Sequence, residues 1–185
     1  MHRTKLIFKG VSEIVGSARL AVLILTDEDE RRQISIVCDK TSAVQIELRL
    51  RPDNVTAECL PEVLSQLLSK LMGARMEILI KDVVDGQYKV LLCSQLDWIE
   101  PIIVRASDAI LFSVVGHVPI YIDSSLMMRQ SVAYKKNAQG VSLPVNTISN
   151  DMLQKALEKA VDDENYELAS RLRDEINKRG IGKKN

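Results

Sequence analysis

The densest group of chemistry-bearing residues in this 185-residue chain is Arg105-Ala106-Ser107-Asp108, set directly before the apolar run AILFSVV. One reading is purely structural. Ser107 caps a helix, Asp108 sits where the positive end of the helix dipole favours a carboxylate, and Arg105 pairs with Asp108 or a nearby strand. The other reading uses the same residues on a ligand. Free N–H groups at a helix N-terminus suit a phosphate, Arg105 adds a two-pronged donor, and Asp108 binds a metal or positions water. Other routes to catalysis are sparse. The chain has no G-x-x-x-x-G-K-[ST], G-x-G-x-x-G, H-E-x-x-H or G-x-S-x-G motif. Of its two histidines, His2 is near the N-terminus and His117 falls in a helix-to-strand turn. Any catalysis therefore rests on carboxylates, Arg, Lys, Ser or a bound divalent ion.

Composition narrows the classes. Lys+Arg and Asp+Glu balance at 25 each, which argues against constitutive tight binding to nucleic acid, since phosphate neutralisation supplies most of that affinity. Aromatics make up 4% of the residues, leaving little for base stacking. The three cysteines, Cys38, Cys59 and Cys93, have no metal-like spacing and form no disulfide framework, so a reducing cytoplasm is expected. The longest apolar runs fall far short of a membrane span, and no signal peptide is legible. Hence the expectation is a cytoplasmic protein with no membrane partner.

The elements that must position the cluster are readable in order. KLIFKGVSEI and RLAVLILT read as strands with Gly16-Ser17 as the turn, and QISIVC alternates as a third strand after the charged loop DEDERR. TSAVQIELRL reads as a helix capped by Thr41 or Ser42, with a strand as the alternative, and Pro52 ends it. CLPEVLSQLLSKLMG places Leu60, Val63, Leu64, Leu67, Leu68 and Leu71 at helical spacing, with Pro61 in the first turn and Gly73 as the stop. Asp85-Gly86 marks a hairpin. Residues Trp98 to Val104 read as a further strand interrupted at Pro101. A buried helix from Ser107 to about Val115, a strand VPIYI and a short helix capped at Asp123-Ser124-Ser125 follow. The expected class is α+β, a mixed or antiparallel sheet domain packed with helices, plus a C-terminal antiparallel helical hairpin. In that hairpin Met152, Leu153, Ala156, Leu157, Ala160 and Val161 form one apolar face, and Tyr166, Ala169, Leu172 and Ile176 the other. Ser149 and Asn165 serve as caps, Gly180 as stop, and Glu167–Arg171 and Asp174–Lys178 as supporting pairs.

The stretch VRASDAILFSVVGHVPIYID resembles the signature of the bifunctional nuclease family, approximately R-P-S-D-A-I, an apolar helix, then P-I-[FY]. Arg105, Ser107, Asp108, Ala109, Ile110, Pro119, Ile120 and Tyr121 match it. Arg51, Pro52, Thr56 and Glu58 fall near the family's R-P-x-T-H-D with two extra residues in the loop, Ala57 standing for the His and Glu58 for the Asp. Thr41 stands where the family's first short helix has Glu, Ala106 replaces the motif Pro, and PIIV precedes it where an acidic residue is usual. The resemblance covers about residues 4 to 131. It implies a phosphodiesterase of broad DNA and RNA specificity, with Asp108, Arg105, Ser107 and Glu58 as catalytic residues. It further implies a divalent ion, Mg²⁺ or Mn²⁺, on Asp108 and Asp123.

LQKALEKAVDDENYELASRLRDEINKR is similar to the UVR motif of the excision-repair nuclease subunits, matching at Ala160, Val161, Glu164, Tyr166, Glu167, Ala169, Leu172, Arg173, Asp174 and Ile176. This likeness implies a protein-contacting hairpin, and thirty residues of helix hold too little core to stand alone. The expected organisation is a nuclease-like domain at 1–132, a linker at 133–148, the hairpin at 149–180 and a basic tail at 181–185. Two functions follow: a nuclease joined to an interaction hairpin, or an inactive scaffold that recruits a protein partner through residues 149–180. Nucleic acid and a second copy of the chain are the other expected partners.

Overall fold

The N-terminal half begins as an antiparallel meander of β1 (Arg3–Glu13), β2 (Leu20–Asp27) and β3 (Arg32–Asp39). The computed structural model describes residues 2–14, 19–51, 56–72, 76–96, 98–134, 136 and 150–180. The turn expected at Gly16-Ser17, the stops at Pro52 and Gly73, most of the expected linker, the Ser149 cap and the tail lie outside the described residues. Across β2 and β3 the pairs Leu25–Ile34, Leu23–Ile36 and Ala21–Cys38 line one face, and all six residues are buried. Thr26, Gln33 and Ser35 on the other face are buried too. The strands are covered on both sides, which simple apolar–polar alternation does not foresee. Between Phe8 and Gly10 the β1–β2 register shifts. Gly10 sits there at φ 145°, a conformation that essentially only glycine adopts.

Helix α1 (Lys40–Leu50) settles the helix-or-strand alternative for this segment. Ala43 and Ile46, three apart, are its buried residues, while Val44 and Leu50 of the alternating set are exposed. The cap is Asp39 rather than Thr41 or Ser42: its carboxylate accepts from the Ser42 N–H at 2.8 Å and the Ser42 hydroxyl at 2.7 Å. An acidic residue at the end of a strand can cap the next helix without any break in the chain, so the hydroxyls lie one turn too late.

Helix α2 (Leu60–Met72) carries Pro61 in its first turn. Strands β4 (Met76–Val84) and β5 (Gln87–Ser94) follow. Asp85 and Gly86 between them have φ 52° and 76°, two left-handed residues as a tight twisted hairpin requires. Strand β6 is only Ile102–Val104. The segment from Trp98 through Pro101 stays out of the strand, because proline has no ladder donor. Then come α3 (Ala106–Gly116), β7 (Ile120–Asp123), α4 (Ser124–Gln130) and β8 (Val132–Ala133).

The sheet order is β6-β5-β4-β7-β1-β2-β3-β8. Strand β7 joins the two halves, parallel to β4 and antiparallel to β1. Its Ile120 and Ile122 face Ile78 and Ile80 of β4, and all four are buried. The fold is therefore α+β with a mixed sheet. By contact the chain divides into Met1–Asp82 with Tyr88–Ser142, and Val83–Gln87 with Leu143–Asn185.

Within the second unit, α5 (Asn150–Asp162) and α6 (Tyr166–Lys178) form the antiparallel hairpin. Leu153, Ala160, Ala169 and Leu172 are its buried core, with Ala156, Leu157 and Ile176 against them. Asn165 caps α6 by accepting from the Leu168 N–H at 3.2 Å, and Gly180 follows the helix at φ 68°. Glu167 pairs with Arg171 at 2.6 Å, and the pair at the helix end is Glu175–Arg179 at 2.8 Å rather than Asp174–Lys178. Val161 and Tyr166, expected in the apolar faces, are exposed. All three cysteines are free, and burial pushes the Cys38 thiol up to about 11. Among the described residues no helix is long and apolar enough to cross a membrane.

One buried ion pair ties α1 to α2. Arg49 Nη2 donates to Glu62 Oε2 at 2.9 Å, and Nε lies 2.7 Å from Oε1. Arg49 Nη1 also donates to the Gln45 carbonyl and side chain at 2.8 and 3.0 Å. The two side chains are only 4% and 13% exposed. Burial alone would raise the Glu62 carboxyl, but hydrogen bonds from Arg49 and Thr56, with the Arg49 charge, hold it below its ordinary value. A lowered folded-state pKa contributes stability that is fully present above the unfolded value and lost as pH falls through the folded one. Accordingly, Arg49→Met should cost about 3–5 kcal/mol by stranding a buried carboxylate, and Arg49→Met with Glu62→Leu should recover most of it. Urea unfolding at pH 7 checks this, and the double variant should lose less stability than the wild type as pH drops below about 4.5. Equal losses in the single and double variants would refute the assignment.

Candidate functional site

Helix α3 is apolar nearly all round, and it packs against α1, α2 and β3. A helix without a polar stripe is held in a core, so its ends are the places where polar groups reach solvent. Arg105, not Ser107, is the N-cap, and its side chain makes no capping hydrogen bond. Ser107 lies inside the first turn and is buried. The expected Ser107 cap is thereby corrected: Arg105 already has extended backbone (φ −63°, ψ 142°), and the helix begins two residues earlier than a Ser107 cap would mark.

The expected Arg105–Asp108 pair is present and bidentate. Nε donates to Oδ2 at 2.7 Å and Nη2 to Oδ1 at 3.0 Å, with both side chains open to solvent. The Arg105 guanidinium is stabilised as a cation by Asp108 first and by the more distant Asp39 as well. Hydrogen bonds from the Ser42 backbone and hydroxyl, and then the Arg105 charge, hold the Asp39 carboxyl below its ordinary range. The start of α3 thus shares its field with the cap of α1. Sequence reading passed over Asp39; its place at the end of an apolar strand, three residues before Ser42, was the available signal.

Of the remaining expected residues, Asp123 has a visible structural role. Asp123 Oδ1 accepts from the Ser125 N–H at 2.9 Å, the Leu126 N–H at 3.2 Å and the Ser125 hydroxyl at 2.5 Å, capping α4. These bonds, Ser125 foremost, hold its carboxyl low. Glu58 is exposed in the turn before α2, and Thr56 in that turn is spent on Glu62. Among the described residues no group of three or more His, Cys, Asp or Glu side chains is placed to hold a metal ion. Both oxygens of Asp108 are taken by Arg105, and Asp123 is a cap. These donors do not fit a ready-made Mg²⁺ or Mn²⁺ site.

Asp108 also lines an apolar cleft of about 390 Å³ bounded by Leu60, Leu64 and Leu68 of α2, Leu92 of β5 and Val104 of β6. A second cleft of similar volume lies farther along α3. Ser65, Glu77, Gln95, His117 and Tyr121 are among its lining residues, and it shares Leu68 and Phe112 with the first. The α2 leucines were expected only to share helical spacing, and Leu60 and Leu64 line the first cleft. Leu60, Val63, Leu64 and Leu67 are exposed.

Residues 23–135, more than half of the chain, match the family model described as the bifunctional nuclease domain. Residues 152–178 match the UvrB/uvrC motif. No curated protein matches the chain. The domain match spans β2 through β8 and contains the whole α1–α3 arrangement; the motif match is the α5–α6 hairpin. If the role of Asp123 is capping, Asp123→Asn should leave the urea midpoint unchanged, because Asn caps as well as Asp, whereas Asp123→Ala should lower it. A fall of equal size in both variants would show that the charge, not the cap, matters there.

Proposed function

The chain belongs to the bifunctional nuclease domain family, and from that premise we propose that it binds a phosphodiester of DNA or RNA at the start of α3 and hydrolyses it there. The observation that carries this reading is the exposed, bidentate Arg105–Asp108 pair on a helix N-terminus with no side-chain cap. The two donors that Arg105 gives to the carboxylate match two phosphate oxygens equally well. A phosphate drawn to the α3 dipole competes with Asp108 for that fork. As Arg105 turns onto the phosphate, Asp108 is released beside it with both oxygens free to accept.

The chemistry then needs only groups of this chain and water. Asp108 takes a proton from a water whose oxygen attacks phosphorus. The bond to the leaving sugar oxygen breaks, and that oxygen takes a proton from solvent. Arg105 offsets the charge that develops on the phosphate. Ser107, buried in the first turn, is a positioning residue, and Glu58 and Asp123 take no part in the step. The α5–α6 hairpin supplies a protein contact, with the exposed Val161, Tyr166 and Leu168 as its apolar surface.

A second reading keeps the fold and drops the chemistry, making the domain a scaffold that recruits a partner through the hairpin. It is favoured by the full occupancy of the Asp108 oxygens by Arg105. Cleavage of labelled single- and double-stranded DNA and RNA, with Mg²⁺, Mn²⁺ or EDTA, separates the two. Under the nuclease reading Asp108→Asn should slow cleavage by about 10²-fold or more, as loss of a general base does. Arg105→Lys, which keeps the charge and loses the fork, should weaken substrate binding. Cleavage by wild type no faster than by Asp108→Asn overturns the catalytic reading in favour of the scaffold.

A further inference from the structure

The second cleft, at the far end of α3, has a lining that the proposed reaction does not use. Its volume is about 390 Å³, and Leu68 of α2, Phe112 of α3 and Pro119 are among its apolar residues. Apolar walls with a few placed polar groups, at a size of roughly 300–1,000 Å³, are the anatomy of a small-molecule site. The polar groups here include Ser65, Gln95 and His117. Asp39 and Asp123 are spent on caps, but no hydrogen bond joins the side chain of Ser65, Gln95 or His117 to any described residue.

His117 is set apart by its backbone. It closes α3 in the left-handed region, at φ 52° and ψ 34°, where glycine is the usual residue and any side chain is strained. The Ser113 hydroxyl, donating to the Val118 carbonyl at 2.6 Å, fixes the turn around it. Strain kept at a cleft by a residue whose side chain is exposed argues that the imidazole is used.

The lining also says what the occupant is not. No lysine or arginine lines the cleft, and its carboxylate, Glu77, already accepts from Arg3 on Oε1. A phosphate finds no cation there. Among the described residues no three His, Cys, Asp or Glu side chains stand together for a metal. What fits is an uncharged planar ring with donors and acceptors along its edge. Phe112 and Tyr121 supply rings of the kind on which bases stack, and the Gln95 amide pairs a donor with an acceptor, the complement of the adenine N6/N7 edge.

The geometry points to this cleft as the seat of a nucleobase, that of a nucleotide neighbouring the phosphate at the start of α3. The base site thus rests on the reading of Arg105 as a phosphate ligand, and the two clefts meet at Leu68 and Phe112, which line both. Phe112 and Gly116 stand about 6 and 12 Å along the helix axis from Asp108, a span that an unstacked strand crosses in a nucleotide or two. With a phosphate held at one end of α3 and a base at the other, the substrate class is single-stranded, because only there are bases free to turn outward. A duplex keeps its bases stacked and cannot place one in the cleft.

Adenosine, which has the base and no phosphate, tests the cleft apart from the reaction. Titrated into the full chain and followed by amide NMR, it should saturate with a Kd below about 1 mM. The resonances of Gln95 and of residues 116–119 should shift, and ribose alone should move none of them. Gln95→Ala and His117→Gly should each weaken adenosine binding at least about 10-fold. Gln95 is exposed and glycine is at ease at a positive φ, so the thermal midpoint should hold in the first variant and hold or rise in the second. That separates loss of ligand from loss of fold. Adenosine should also displace a labelled single strand from the wild type. No binding at about 5 mM adenosine, or binding indifferent to both substitutions, overturns the base site. Adenosine that binds yet leaves the strand in place overturns its link to the phosphate. If adenosine binds and no strand does, the phosphate reading fails and the base site stands without it.

Discussion

The buried ion pair of Arg49 and Glu62 is the constraint on which the arrangement of helices rests. Two charges taken out of water gain little net stability, because desolvation consumes most of the attraction. Their effect is on geometry. With Arg49 near the end of α1 and Glu62 in the first turn of α2, misalignment of either helix would leave a charge buried without its partner. Thr56, in the turn that leads into α2, adds a hydrogen bond to the same carboxyl, so turn, helix end and helix start are held together. Both helices pack on α3, and the pair thereby decides where the Arg105–Asp108 cluster stands.

That dependence gives Thr56 a meaning different from a catalytic motif residue. Glu58, two residues on, is open to solvent, while Thr56 turns toward the ion pair. In this chain the threonine of the R-P-x-T stretch serves the scaffold. The site itself is concentrated in a few residues at one helix terminus, with Asp39 on the neighbouring helix as an electrostatic contributor. Under the nuclease reading its economy suits a neutral protein: one exposed arginine fork and one helix dipole would attract a phosphate locally without a basic surface that binds nucleic acid everywhere.

Much of the fold was legible because it depends on short-range rules. Asp85-Gly86 must take two positive φ values in a tight hairpin, and does; Asn165 and Asp123 cap the helices that follow them; Pro61 sits where a missing N–H costs nothing. Harder to read were the features decided by tertiary contact. Asp39 outcompetes Thr41 and Ser42 as a cap because the strand before it delivers its carboxylate at the right height. Ser107 looked like a cap only because its own burial is invisible in a sequence. The leucines of α2 obey perfect helical spacing, yet spacing says that a face is apolar and not what covers it. Here that face lies beside an open strand edge. A pairing of Arg105 with Asp108 was one of the expected alternatives, but its bidentate geometry and the occupation of both carboxylate oxygens, which disfavours a metal there, required coordinates.

Helix α3 also shows why so small a cluster can be held in place. At its far end the Ser113 hydroxyl donates to the Val118 carbonyl at 2.6 Å, and His117 closes the helix at φ 52°. A Cβ at Gly116 would lie 2.8 Å from the Ser65 hydroxyl and 3.2 Å from a Val118 methyl, so α2 and α3 approach closely there and a larger residue would displace the Ser65 hydroxyl. Pinned at that end and buried at Ser107, Ala109 and Ile110 near its start, α3 packs against α1, α2 and β3. The movable part at its start is the Arg105 side chain, long, exposed and attached to a rigid element. Under the nuclease reading, a site of this kind holds its donors on helix backbone, and the transfer of one guanidinium from carboxylate to phosphate would need side-chain rotation alone.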